Sequence, residues 1–245
     1  MNELHLFAGA GGGILGGILL GHTCVCAVEI EPYCRKVLLQ RQRDGILPRF
    51  PIWDDVRTFD GKPWRGGVDV VCGGFPCQDI SVGSSTATGL LGERSGLYQQ
   101  MRRVVGEIMP RYVLVENSPA LLVRGIGTVL RDMAKMGYDC RWGVFSAGDV
   151  GARHERERLF ILSDRDGFMG WPRSWSEQQH GQDEDVGEMH AEHACDHYRI
   201  WMEMARSVVR EDDDVAGQVD RTRAIGNGQV PAVVKLAWET LTGTN

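Results

Sequence analysis

Apolar positions along the chain switch repeatedly between short continuous runs, the mark of buried strands, and runs spaced three or four apart, the mark of amphipathic helices. Leu4, Leu6 and Phe7 form a first short run, stopped by Ala8-Gly9-Ala10-Gly11-Gly12-Gly13, after which Ile14, Leu15, Ile18, Leu19 and Leu20 recur at helical spacing. Residues 24–28 read as a second strand, Pro32 opens a helix to about Gln40, a third strand ends near Asp55-Val56, and 68–72 form a further buried strand. Leu97, Met101, Val104, Val105 and Ile108 share one helical face. A strand follows over 112–115, then one amphipathic helix over 121–136, and strands over 138–145 and 159–162. This alternation predicts an α/β fold: a doubly wound, mostly parallel sheet of about seven strands, with ligands at the carboxyl ends of the strands. Periodicity fades from Asp164 to about Asp220, a Trp-rich, His-rich and acidic stretch that reads as a small insert. It returns where Pro231 opens a final helix to about Leu241.

Composition changes this picture little. A chain of 245 residues accommodates one sizeable domain with an appendage, and no apolar run approaches the roughly 20 residues of a membrane span. The expectation is a soluble protein. No basic segment followed by an apolar stretch opens the chain, so no secretory signal is expected. Seven cysteines without paired spacing then read as reduced thiols of a cytoplasmic protein. The net charge of −6 disfavours nucleic acid as a partner only mildly, because a local basic groove is what phosphate binding requires.

The candidate chemistry sits at the predicted strand ends. Gly11-Gly12-Gly13-Ile14-Leu15-Gly16 matches the glycine pattern that opens a helix onto a nucleotide, and Glu29 stands near the offset at which a carboxylate accepts from ribose hydroxyls. Together they point to an adenosine-containing ligand without separating a dinucleotide from S-adenosylmethionine. Asp55 is placed to accept from an adenine amino group. Cys77 follows the strand over 68–72 across Gly73-Gly74-Phe75-Pro76, in a loop where a thiolate nucleophile can be aimed. The other six cysteines read as small buried hydrophobes. Glu116 ends the next predicted strand, followed by Asn117, and its carboxyl can donate to a ring nitrogen and accept from an exocyclic amine, as cytosine's pairing edge requires. Arg156 and Arg158 share a face if extended and can hold a carbonyl oxygen or a phosphate.

In this order and spacing the segments resemble the DNA cytosine C5-methyltransferase family. Leu6 to Gly12 are similar to its cofactor loop, Glu29 to its ribose acid, Asp55-Val56 to its adenine contact, and Gly74-Phe75-Pro76-Cys77-Gln78 to its nucleophile motif. Residues 89–98 resemble the segment before the next helix, Glu116-Asn117 the cytosine-binding acid, Arg156-Glu157-Arg158 the paired arginines, and Gly226-Asn227-Gly228 the closing cofactor motif. The resemblance implies a Rossmann-like fold that binds S-adenosyl-L-methionine and a cytosine flipped out of double-stranded DNA. It implies catalytic roles for Cys77, Glu116, Arg156 and Arg158. It implies cofactor contacts from Phe7, Ala8, Gly9, Gly11, Glu29, Ile30, Asp55, Val56, Gly74, Pro76, Leu97, Asn227 and Gly228, and substrate contacts from Gln78, Ser81 and Asn117. His154, Ser118 and Gly228 depart from the family's usual glutamine, valine and serine. The implied organisation is a catalytic domain over 1–163 and 222–245 and a target-recognition insert over 164–221, far shorter than is usual. His190, His193, Cys195 and His197 within it are too closely packed for a structural zinc site, so no metal is expected. An oxidoreductase would use the glycine loop but leave Cys77, Glu116 and the arginines without a role. The same residues also admit a non-catalytic DNA-binding protein or an RNA cytosine methyltransferase.

Overall fold

A computed structural model of the chain describes residues 1–76, 96–167 and 228–244. Seven strands form one sheet in the order β3-β2-β1-β4-β5-β7-β6: β1 (Asn2–Leu6), β2 (Thr23–Val28), β3 (Ile52–Trp53), β4 (Val70–Gly73), β5 (Tyr112–Asn117), β6 (Asp139–Phe145) and β7 (Arg158–Asp164). The first five are mutually parallel, and β7 inserts antiparallel between β5 and β6. The helices are α1 (Gly12–Leu19), α2 (Pro32–Arg43), α3 (Gly96–Ile108), α4 (Leu121–Arg124), α5 (Ile126–Lys135) and α6 (Pro231–Thr242). The expected doubly wound sheet is present. The expected single helix over 121–136 is two, because Gly125 leaves helical backbone at φ −172° and separates α4 from α5. The third strand is only two residues long and ends before Asp55.

Side-chain alternation gives the sheet two unlike faces. Leu4, Leu6, Val71, Val113 and Val115 point toward α3 and α5, where Tyr98, Met101, Val104, Val105, Ile108, Val129 and Met133 complete a continuous hydrocarbon core. The opposite face carries Val70, Cys72 and Leu114 against Val233, Val234, Ala237 and Trp238 of α6. It also carries polar residues that alternation forces inward: Glu3 and His5 of β1 are 2% and 4% exposed. Such groups cost several kcal/mol unless partnered, and here they partner one another. Glu3 Oε2 bonds His5 Nε2 at 2.8 Å and Glu3 Oε1 bonds His22 Nδ1 at 2.7 Å. Burial pushes the Glu3 carboxyl up, but the hydrogen bonds and charges of His22 and His5 outweigh it and hold it down at about 2.

Helix α1 accommodates both this network and α6 by omitting side chains. Gly12 and Gly16, four apart and so on one stripe, face the C-terminal segment: a Cβ on Gly16 would stand 2.6 Å from Val234 Cβ and 3.1 Å from the Pro231 carbonyl. Gly13 and Gly17 form the adjacent stripe, and a Cβ on Gly17 would collide with the Glu3 carboxylate. Four glycines in eight helical residues forgo helix propensity of about 1 kcal/mol each, which close packing against α6 and β1 offsets.

Two outcomes follow for stability. Gly16→Ala gains about 1 kcal/mol of propensity but overpacks against Val234 by about 1–3 kcal/mol, so its urea midpoint falls below that of the parent; a midpoint at or above the parent's would contradict the packing described. Folded Glu3 takes its proton only near pH 2, whereas an unfolded carboxyl takes it near 4.5. The stability it contributes is therefore complete above about pH 4.5 and drains as pH falls toward 2, and thermal melts across that range show a flatter acid limb in Glu3→Gln.

Candidate functional site

The register of the parallel strands builds the site. Leu6 pairs with Val28 on one side and Gly73 on the other, and Gly73 pairs with Val115, so these strands reach their carboxyl ends in one row. The next residue in each case is Phe7, Glu29, Gly74 or Glu116. Four residues singled out from separate parts of the sequence therefore share one edge, at the switch between β1 and β4 where doubly wound sheets bind ligands.

At the β1 side the chain turns sharply. Phe7 takes φ 56°, rare for a residue with a side chain, and Gly9 takes φ 55° with nothing within 4 Å of where a Cβ would stand. Gly9 N–H donates to Glu29 Oε2 at 2.6 Å, and Glu31 N–H donates to Glu29 Oε1 at 2.7 Å. Each oxygen keeps a lone pair for a further donor such as a hydroxyl. Burial raises the Glu29 carboxyl above the ordinary range, against the lowering effect of the two backbone bonds. Ile30 follows, 51% exposed and apolar, beside this open ground. Ala8 packs against the cluster around Ile14 and Leu38, and Gly11 faces Leu38, so both lean on protein. Asp55 is occupied by Arg57, which bonds its carboxylate through Nε at 2.9 and 3.1 Å and holds it below the ordinary range. Val56 is core, with its carbonyl accepting from Arg103 at 2.8 Å, and Leu97 packs on the same core.

Glu116 forms the other half. Arg158 Nε lies 2.9 Å from Glu116 Oε1, and the amide Nε2 of Gln229 lies 3.4 Å from Oε2. The Glu116 side chain is 12% exposed. Burial raises its carboxyl above the usual carboxylate range, with Arg158, the Gln229 amide and Arg156 pulling the other way. Gly74 lacks the Cβ that would stand 2.5 Å from Glu116 Oε2. Arg156 Nη2 donates to the Gly228 carbonyl at 2.7 Å, tying the start of the C-terminal segment to the loop before β7. Burial lowers its guanidinium, reinforced by the charge of Arg158. Asn117, buried, donates through Nδ2 to the Phe75 carbonyl at 3.2 Å and accepts the Ser118 N–H at 2.8 Å. It therefore anchors the backbone two residues before Cys77. Phe75 is buried against Tyr98, while Pro76 turns outward. Cys77, Gln78, Ser81, Asn227 and the His/Cys cluster of the insert lie outside the described residues. Of the other cysteines, Cys24, Cys26, Cys34 and Cys72 are buried and Cys140 is half-buried.

Gln229 is the residue that sequence reasoning missed. Its signal was present, because a glutamine between Gly228 and the apolar start of α6 has no reason of hydrophobic pattern to be there. Only the fold shows that it reaches Glu116 from more than a hundred positions away.

The raised Glu116 carboxyl has a measurable consequence. The folded state holds this proton above the pH at which an unfolded glutamate releases it, so Glu116 takes stability away as pH rises. The difference in urea midpoint between Glu116→Gln and the parent accordingly moves in favour of Glu116→Gln from pH 4.5 to 7.5. A difference that moved toward the parent would show that Arg158 dominates instead.

Comparison with known proteins agrees with this geometry. The family profile of C-5 cytosine-specific DNA methylases matches residues 1–235. The chain is 33% identical over 163 residues to the type II methyltransferase M.CviJI of Paramecium bursaria Chlorella virus IL3A, covering 66% of this chain and 42% of that protein. It is 32% identical over 187 residues to M.Eco47II of Escherichia coli, covering 71% of this chain and 43% of that protein. It thus spans less than half the length of these relatives. A crystal structure described as a putative DNA modification methyltransferase encoded within an E. coli prophage matches with TM-score 0.53 at 26% identity, over 68% of this chain and 47% of that one. Schizosaccharomyces pombe Dnmt2 shares the fold with TM-score 0.58 at 18% identity, over 88% and 62%. With an edge that gathers Phe7, Glu29, Gly74 and Glu116, and a profile match over nearly all its length, the chain belongs to the C-5 cytosine-specific DNA methylase family.

Proposed function

We propose that the chain transfers a methyl group from S-adenosyl-L-methionine to C5 of a cytosine flipped out of double-stranded DNA, through a covalent bond from Cys77 to C6. The observation that carries this reading is the Glu116–Arg158 pair at the sheet edge, a nearly buried carboxyl with a raised proton affinity beside a guanidinium. A protonated carboxyl can donate to the ring nitrogen N3 and accept from the exocyclic amine, and Arg158 can hold the ring O2. Family membership and the curated type II methyltransferases agree with it.

The residues at the β1 end suit the cofactor. Glu29 keeps lone pairs for ribose hydroxyls, Gly9 leaves open space beside it, and Phe7 and Ile30 offer apolar surface to a purine. Asp55 would reach an adenine amino group from its Arg57-held position, and Asn227 and Gly228 would close the pocket with Pro76. When bound, the cofactor supplies a methyl group on a positively charged sulfur. The rest falls to the chain. The Cys77 thiolate adds to C6, which makes C5 electron-rich enough to take the methyl. Loss of the C5 proton and expulsion of Cys77 then restore the aromatic ring. Glu116 supports the first step by protonating or hydrogen-bonding N3 as charge builds in the ring. Gln78 and Ser81 would close over the flipped nucleotide.

In the same reading the catalytic domain comprises 1–163 and 222–245, and residues 164–221 contact the target sequence. A cytoplasmic setting fits the described cysteines, which are all unbridged; none of the described helices is long and apolar enough to cross a membrane.

The test is covalent capture. Duplex DNA of mixed sequence carrying 5-fluorocytosine lacks the departing C5 proton, so methyl transfer leaves the enzyme attached. Mass spectrometry is expected to show an adduct that requires cofactor, persists in Cys72→Ser and disappears in Cys77→Ser. Adduct formation in Cys77→Ser would overturn the assignment of the nucleophile, and none in the parent would leave a binding protein.

A further inference from the structure

Gln229 is met by three glycines from two different segments of the chain, Gly12 and Gly13 in the first turn of α1 and Gly74 after β4. Its backbone carbonyl occupies the place of a Gly12 Cβ, and its side-chain carbonyl Oε1 that of a Gly13 Cβ, in the first turn of α1. Its amide Nε2 would lie 3.5 Å from a Gly74 Cβ at the end of β4 and lies 3.4 Å from Glu116 Oε2 at the end of β5. The backbone just before it is clamped by Arg156 through the Gly228 carbonyl, and Pro231 starts α6 two residues later. The side chain is thus fixed at both ends. An amide is suited to that place, since it presents an acceptor toward the helix and a donor toward the acid without bringing a charge.

We propose that Gln229 is a positioning residue for the base-binding acid: its amide fixes the plane of the Glu116 carboxyl and joins that acid to the glycine loop of α1. The proposal rests on the assignment of Glu116 as the acid that binds cytosine. A glutamate carboxyl rotates broadly about its last bond. Arg158 holds Oε1, and with that contact alone the other oxygen would swing; the Gln229 donor on Oε2 defines the second point. A cytosine presenting an acceptor and a donor side by side needs both oxygens in one plane. The groups facing Glu116 among the described residues are Arg158 from β7, Arg156 from the loop before it, the Gln229 amide and the Gly74 backbone. Of these the amide is the uncharged donor, so its removal alters orientation and proton affinity while leaving both guanidinium charges in place. A donor on the ionised form favours that form, so the Glu116 carboxyl titrates higher without it.

Carboxyl carbon resonances of protein labelled with 13C-glutamate, with Glu116 assigned by its absence in Glu116→Gln, read that titration without turnover. In Gln229→Met, of similar length but with no amide, the Glu116 midpoint is expected to move up, and in Gln229→Glu further up, because a second carboxyl disfavours both charges. Methyl transfer in Gln229→Met is expected to show kcat lower by roughly tenfold, at the lower end for a hydrogen bond to a charged group, with KM for the cofactor within about twofold. A purely structural role would lower stability in both variants without ordering the midpoints. An unmoved midpoint in folded Gln229→Met, or a moved midpoint with unchanged kcat, overturns the proposal. A parent enzyme that neither methylates nor forms the adduct would instead sink the functional reading, while the Glu116 titration still decides whether Gln229 holds the acid.

Discussion

A carboxylate held nearly out of water at the end of β5 is the constraint around which this molecule is arranged. Burying Glu116 costs several kcal/mol unless its oxygens are partnered, and the two side chains that bond them come from opposite directions. Arg158 arrives on β7, which runs antiparallel between β5 and β6 and so begins where β5 ends. Gln229 arrives from the segment before α6, which can lie there only because Gly12, Gly13 and Gly74 carry no side chains. An all-parallel sheet would bring the far end of β7 to this edge. The single reversed strand is what delivers a guanidinium to the acid.

The two faces of the sheet divide the work that follows from this. The face toward α3 and α5 is largely hydrocarbon, and the hydroxyl of its fully buried Tyr98 bonds Asp132 at 3.2 Å rather than entering the site. The face toward α1 and α6 carries Glu3 and His5 under α1, and then Gln229 and Glu116 at the edge. Polar groups on that face need space as well as partners, and helix α1 supplies space through its two glycine stripes. Three of the four glycines that weaken α1 as an isolated helix, Gly12, Gly13 and Gly16, admit the C-terminal segment, and the fourth, Gly17, makes room for the Glu3 carboxylate.

Much of this is legible in the sequence. Alternating runs mark the seven strands and their order of appearance, and placing Glu29, Gly74 and Glu116 at strand ends is enough to expect them on one edge. The break at Gly125 is not legible from the apolar pattern, because Leu121, Val129 and Met133 keep helical spacing across it, although Gly125 and Gly127 both weaken a helix there. The brevity of β3 escapes for the opposite reason: Ile52 and Trp53 continue no pattern long enough to measure. Asn117 and Asp55 read as facing a ligand, whereas Asn117 is engaged with Phe75 and Ser118 and Asp55 with Arg57. Type and position are visible in a sequence; the partner that has already taken a polar group is not.

The glycine loop shows why that distinction matters for function. A glycine-rich turn before a helix is ordinarily read as room for a ligand, yet Gly12, Gly13, Gly16 and Gly17 all face protein and only Gly9 opens onto free space. Open space in this turn is therefore made by one residue, at the point where Phe7 and Gly9 both take positive φ and Glu29 is bonded back to the turn. Of the remaining glycines, Gly12 and Gly13 admit Gln229, whose amide bonds Glu116 at the other end of the edge. The first turn of α1 and the Glu116 carboxyl are then linked through a short bridge of main chain and one amide, that of Gln229. That arrangement makes the segment before α6 part of the site's geometry, although its hydrophobic pattern reads only as the start of a packing helix.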